Sequence, residues 1–67
     1  MNIYLNGKLL DIENPCSVSD FLTRQKLSAS AGIAVAVNNK VIPKETWPDA
    51  MLHENDTVLI IGASYGG

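Results

Sequence analysis

Apolar and polar side chains alternate from the first residue, Met1, Ile3 and Leu5 interleaving with Asn2, Tyr4 and Asn6. A period of two marks a half-buried strand. Asn6-Gly7 behind it is a strong hairpin signal, because both residues tolerate positive φ. A two-residue turn sets Leu5 opposite Lys8, Tyr4 opposite Leu9, Ile3 opposite Leu10 and Met1 opposite Ile12. Directly paired residues share a sheet face, so Met1, Ile3, Leu5, Leu10 and Ile12 gather on one side. Asn2, Tyr4, Leu9 and Asp11 gather on the other. Asn14-Pro15 breaks the second strand. Ser17, with Asp20 three residues on, reads as a helix N-cap, and Cys16 and Phe21 take the two positions of a hydrophobic staple. The predicted helix starts at Val18, aligns Val18, Phe21 and Leu22 in one stripe, and ends near Leu27. Residues 28–32, Ser-Ala-Ser-Ala-Gly, read as a flexible connection.

Residues 33–37 put Ile33, Val35 and Val37 at odd positions with alanines between them, the pattern of a central strand. Asn38-Asn39 predicts a tight turn, and residues 40–42 a short strand stopped by Pro43, which cannot donate to a ladder. Thr46-Trp47-Pro48 opens an irregular segment running through Met51 and Leu52. Asn55-Asp56 turns the chain into a last strand over residues 57–61. The order is hairpin, helix, hairpin, irregular segment, final strand. It predicts an α+β fold, a mixed sheet packed on one main helix, with the first and last strands parallel and adjacent through a right-handed crossover. That is the two-layer β-grasp arrangement. Its domain occupies residues 1–61, and residues 62–67 form a flexible C-terminal Gly-Gly tail.

Size narrows the function. A 67-residue chain buries only about 60% of the surface its unfolded form exposes, which leaves little room for a catalytic pocket of roughly 300 Å³ or more. Function is expected on a surface or at a terminus. The net charge of −2, with no Lys/Arg cluster, excludes the basic footprint of a nucleic-acid binder. The longest apolar runs, residues 33–37 and 58–61, fall far short of the ~20 needed to span a bilayer, and no signal-peptide pattern opens the chain. The expectation is a soluble, cytoplasmic protein without nucleic-acid or membrane partners. Cys16 has no second cysteine to pair with, which fits a reducing compartment.

The tail carries the candidate chemistry. Residues 62–67, Gly-Ala-Ser-Tyr-Gly-Gly, hold one large side chain and little to bury. Fully extended, six residues reach about 20 Å, far enough to carry the Gly67 carboxylate into a partner. Gly66 and Gly67 lack a Cβ and fit a channel too narrow for other residues. An ionised carboxylate can attack the α-phosphate of ATP. Tyr65 is either a disordered aromatic or an anchor in a partner pocket.

With these features together, the chain resembles the ThiS family of sulfur carriers in thiazole (thiamine) biosynthesis. The resemblance covers the whole length. It rests on Ile3-Tyr4-Leu5-Asn6-Gly7, on Val35-Ala36-Val37-Asn38 followed by Val41-Ile42-Pro43 and Trp47, on Asn55-Asp56-Thr57-Val58, and on Gly66-Gly67. The Gly-Gly end alone is shared with molybdopterin-synthase small subunits and ubiquitin-like modifiers. Two positions depart from the family pattern. Asn55 stands where glycine is usual, which left-handed geometry permits, and Tyr65 stands where relatives often carry smaller or polar residues.

The resemblance implies a carrier without catalytic residues, cofactor or metal of its own. An E1-like adenylating enzyme (ThiF type) would use ATP to convert the Gly67 carboxylate to an acyl adenylate. Sulfur from a cysteine desulfurase or sulfurtransferase would leave a C-terminal thiocarboxylate, and thiazole synthase (ThiG type) would receive it. Gly66, Tyr65 and Ser64 would form the tail that enters the partner's channel. Tyr4, Leu9, Leu59 and Ile61, on the sheet face turned from the helix, are the candidate docking surface. Molybdopterin synthesis, protein modification and a plain binding module with an incidental Gly-Gly end are the rival readings. Elsewhere Cys16 is read as a small buried hydrophobe, Trp47 as packing over an open end of the core, and His53 as a solvated loop residue.

Overall fold

The computed structural model describes residues 1–27 and 32–62. Five strands form one sheet: β1 (Asn2–Leu5), β2 (Lys8–Asp11), β3 (Ile33–Val37), β4 (Lys40–Val41) and β5 (Asp56–Gly62). One α-helix, α1 (Val18–Arg24), and a 3-10 helix over Lys44–Thr46 complete the elements. The sheet order is β2-β1-β5-β3-β4. β5 runs parallel to β1 and antiparallel to β3, so the first and last strands lie together at the centre. This is the expected β-grasp topology.

Two hairpins enter the sheet through paired left-handed residues. Asn6 and Gly7 have φ of 48° and 87°, and Asn38 and Asn39 have 51° and 69°, the geometry that matches the twist of the flanking strands. The first hairpin keeps the expected register, Tyr4 opposite Leu9 and Ile3 opposite Leu10. Alternation then sorts side chains by face. Ile3, Leu5, Ile33, Val35, Val58 and Ile60 are buried with Val18, Phe21 and Leu22 from the helix, and Cys16, Trp47 and Leu52 complete the core.

The helix start shows how the irregular segment earns its place. A helix leaves its first backbone N–H groups without intrahelical partners. Here Val18 N–H donates to Ala50 C=O at 2.8 Å, Ser19 N–H to Trp47 C=O at 3.2 Å, and Asp20 N–H to the Ser17 hydroxyl at 3.0 Å. Residues 47–50 thus act with the Ser17 cap to satisfy the helix N-terminus. Leu52 N–H donates to Cys16 C=O at 2.9 Å and ties the segment down once more. Trp47, buried, donates from its indole Nε1 to Ile42 C=O at 2.9 Å, so its polar edge is satisfied while its rings pack, as expected of a residue closing the core.

Three boundaries differ from the sequence expectation. The helix stops at Arg24, ahead of Leu27, because Lys26 turns left-handed at φ 61°. Leu27 N–H then donates to Leu22 C=O at 2.8 Å and Lys26 N–H to Thr23 C=O at 3.0 Å, the Schellman closure that satisfies the last carbonyls. β4 ends at Val41, although Ile42 N–H still bonds Val35 C=O at 2.9 Å. β5 gains a residue at each end, Asp56 and Gly62, where pairing with Ile3 and Ile33 continues the ladder. The connection expected over residues 28–32 lies outside the described residues except for Gly32.

The Schellman position occupied by Lys26 usually belongs to glycine, since a Cβ there costs about 1 kcal/mol or more. Lys26→Gly is expected to stabilise the domain by about 0.5–1 kcal/mol after the added entropy of the unfolded chain. Thermal unfolding should show it as a rise of roughly 2–8 °C in Tm. A lowered Tm would mean that the Lys26 side chain contributes more than its backbone strain removes.

Candidate functional site

Two features of the sheet make up the candidate site: its outer face, and the end of β5 from which the chain continues to Gly67. The outer face is fixed by register. Across β2, β1 and β5, Leu9 pairs with Tyr4 and Tyr4 with Thr57. Across β5, β3 and β4, Leu59 pairs with Ala36 and Ala36 with Val41, and Ile61 pairs with Ala34. Strand alternation places all of these on the side away from α1. Tyr4, Leu9, Leu59 and Ile61 are 39%, 54%, 42% and 59% exposed. The four expected docking residues therefore do share one open surface. Val41, 68% exposed on β4, extends it to the far edge of the sheet. The sequence reading missed Val41, because a two-residue strand has too few positions to show its alternation.

The two ends of β5 are held differently. At its start the Asp56 carboxylate is buried and accepts from Asn38 Nδ2 at 2.9 Å and from His53 N–H at 2.7 Å. Asn38 Oδ1 in turn accepts from Thr57 N–H at 2.9 Å. A buried carboxylate needs such donors, and here the neighbouring turn supplies them. His53 places its ring in solvent, with Nδ1 3.8 Å from Asp56 Oδ2.

At its far end β5 outruns its neighbour. Backbone pairing with β1 stops where the chain turns at Asn6-Gly7, with Asn6 N–H donating to Val58 C=O at 2.9 Å. The Asn6 side chain then takes the place of the missing strand: Oδ1 accepts from Ile60 N–H at 2.9 Å and Nδ2 donates to Ile60 C=O at 3.3 Å. On the other side Gly62 pairs with Ile33, and a Cβ on Gly62 would come within 2.7 Å of Ile33 Cγ2. β5 thus leaves the sheet at the Asn6-Gly7 end, with an amide on one flank and Ile33 on the other. Ser64, Tyr65, Gly66 and Gly67 lie outside the described residues.

Cys16 belongs to the core and not to this site. It is fully buried, and burial pushes its thiol above the ordinary range, Arg24 lowering and Asp20 raising it by smaller amounts. A buried neutral thiol is a poor nucleophile. No helix among the described residues is long and apolar enough to cross a membrane.

The profile of the ThiS family matches residues 3–67. The chain belongs to the ThiS family. It is 27% identical to the sulfur carrier protein ThiS of Escherichia coli (strain K12), over the full length of both chains. The crystal structure of the thiamine biosynthesis protein ThiS from Geobacter metallireducens superposes with a TM-score of 0.83 over all of both chains at 23% identity, a likeness of fold. An NMR structure of a thiamine biosynthesis protein from the same organism gives 0.79 at 25% identity, over all of this chain and 88% of that one. As a ThiS-family member the chain is a small ubiquitin-like carrier of sulfur for thiamine biosynthesis, in place of the enzyme that its size already argued against.

The open apolar face of this carrier is a surface and not a piece of core, so Leu9→Asp should change stability by only about 0.5 kcal/mol. Urea unfolding of the variant checks this. A loss of several kcal/mol would show that Leu9 is buried in the folded protein.

Proposed function

We propose that the group carrying sulfur is the Gly67 carboxylate and that the outer sheet face docks the enzymes that act on it. The observation that supports this most is the direction of β5: the strand beneath Leu59 and Ile61 is the one that continues to Gly67. A partner seated on Tyr4, Leu9, Leu59 and Ile61, with Val41 at its rim, has the terminal segment beginning beside it. The five residues after Gly62 reach at most about 17 Å. Gly66 and Gly67 suit a narrow channel, with Ser64 and Tyr65 at its mouth.

In the proposed cycle an E1-like adenylating enzyme of the ThiF type binds this face. A Gly67 carboxylate oxygen attacks the α-phosphorus of ATP and pyrophosphate leaves, which turns an unreactive carboxylate into an acyl adenylate. The terminal sulfur of a persulfide, supplied through a cysteine desulfurase or sulfurtransferase, attacks the acyl carbon and expels AMP. A thiol then cleaves the resulting acyl disulfide, forming a new disulfide and leaving the thiocarboxylate. A thiazole synthase of the ThiG type receives that sulfur. The carrier supplies recognition and reach, its partners the acid and base groups. Cytoplasmic residence fits this cycle, since reduced thiols are needed at two steps.

Incubation with ATP, the adenylating partner and a persulfide donor is expected to raise the intact mass by the exchange of one oxygen for sulfur. Deleting Gly67 should abolish the gain, and Leu9→Asp should slow it by weakening the encounter. A gain that survives deletion of Gly67 would place sulfur elsewhere and remove the proposal.

A further inference from the structure

The exit of β5 from the sheet offers one arrangement that stability alone does not explain. β1 could end in any type of turn, yet Asn6 supplies both the left-handed turn residue and two hydrogen bonds to Ile60. The amide copies a backbone peptide, donor and acceptor together, and it does so two residues before β5 ends at Gly62. On the opposite flank the antiparallel ladder makes Ile33 and Gly62 a non-hydrogen-bonded pair. The alternation follows from Asn38 N–H donating to Thr57 C=O at 2.8 Å in the same register. Such pairs approach closely, and the contact leaves no room for a Cβ on Gly62.

We propose that Asn6 and Gly62 are positioning residues for the reactive terminus. The Asn6 amide and the Ile33 side chain form a collar that fixes the direction in which the chain leaves the sheet. This inference rests on the reading that Gly67 carries sulfur. A partner docked on the outer face can use a short terminal segment only if that segment starts at a set angle, because a loosely anchored one spends less time in the reactive geometry. The collar acts after docking, so it should appear in kcat and not in KM.

The test compares wild type, Asn6→Gly, Asn6→Asp and Gly62→Ala in conversion to the sulfur-bearing form, at a temperature well below every Tm. Asn6→Gly keeps the turn and deletes both bonds to Ile60. Its kcat is expected to fall at least about fivefold with KM changed less than about twofold, the split that marks a lost positioning interaction. Asn6→Asp keeps the acceptor for Ile60 N–H and should fall between it and wild type. Gly62→Ala presses on Ile33 from the other flank and should lower kcat likewise, which covers a failure of Asn6→Gly to fold. Backbone NMR supplies a readout free of catalysis: the order parameters of Ile60 and Gly62 should drop in Asn6→Gly toward the flexible range below about 0.6. An unchanged kcat in folded Asn6→Gly, or a raised KM with kcat intact, would overturn the collar. A wild type that takes no sulfur would remove the carrier reading itself, a failure visible before any variant is compared.

Discussion

The parallel pairing of β1 with β5 is the contact on which the rest depends. It joins Ile3 to Asp56 and Leu5 to Val58 across more than fifty residues of sequence. Burial rewards it: Ile3, Val58 and Ile60 lie among the least exposed residues, facing α1. Closing so long a loop is entropically costly and slow. Asn55 N–H bonding Asn2 C=O at 2.7 Å and the Asn6 bonds to Ile60 extend the pairing at either end. The same pairing brings the end of the last strand to the Asn6-Gly7 turn, where under the proposed function it would serve presentation as well as stability.

One sheet thereby has two unlike faces. The inner one is spent on the core of a chain whose single cysteine allows no internal disulfide, and Ile3, Leu5, Ile33, Val35, Val58 and Ile60 on it are buried. The outer one retains Tyr4, Leu9, Val41, Leu59 and Ile61 in the open. Scattered exposed hydrophobics need no explanation, but neighbouring ones on four of the five strands, with Ala34 and Ala36 of β3 between them, form the kind of continuous surface that partners cover. For a carrier this division is economical: the fold uses one face, and in the proposed cycle recognition would use the other, with the chemistry beyond both.

Much of this was legible in the amino-acid sequence, and the reasons are local. Two-residue alternation with Asn6-Gly7 fixed the first hairpin to the residue, and Ser17 with Asp20 fixed the helix start, because each signal lies within four residues of what it determines. The outward turn of Leu59 and Ile61 followed from four apolar residues in a row on β5. What stayed hidden depended on distant partners. Lys26 carries no sign that it turns left-handed, since its reward is a closure against Leu22 and Thr23 that packing selects. The role of residues 47–50 in satisfying the helix N-terminus, the clamp from Asn6 to Ile60 and the near contact of Gly62 with Ile33 all join segments brought together only by the fold. The carboxylate at Gly67 was inferred from composition and resemblance, and the ThiS family match agrees with the fold and carrier role drawn from them.

The central claim is that sulfur resides on the terminal carbonyl while the folded domain, Cys16 included, takes no part in bonding it. Fragmentation of the intact sulfur-bearing protein in a mass spectrometer locates the added sulfur along the chain. The account predicts it in the smallest C-terminal fragments, those containing Gly67, with every N-terminal fragment that includes Cys16 unshifted. Sulfur found on the fragments spanning Cys16 would contradict it and make this chain a persulfide carrier instead.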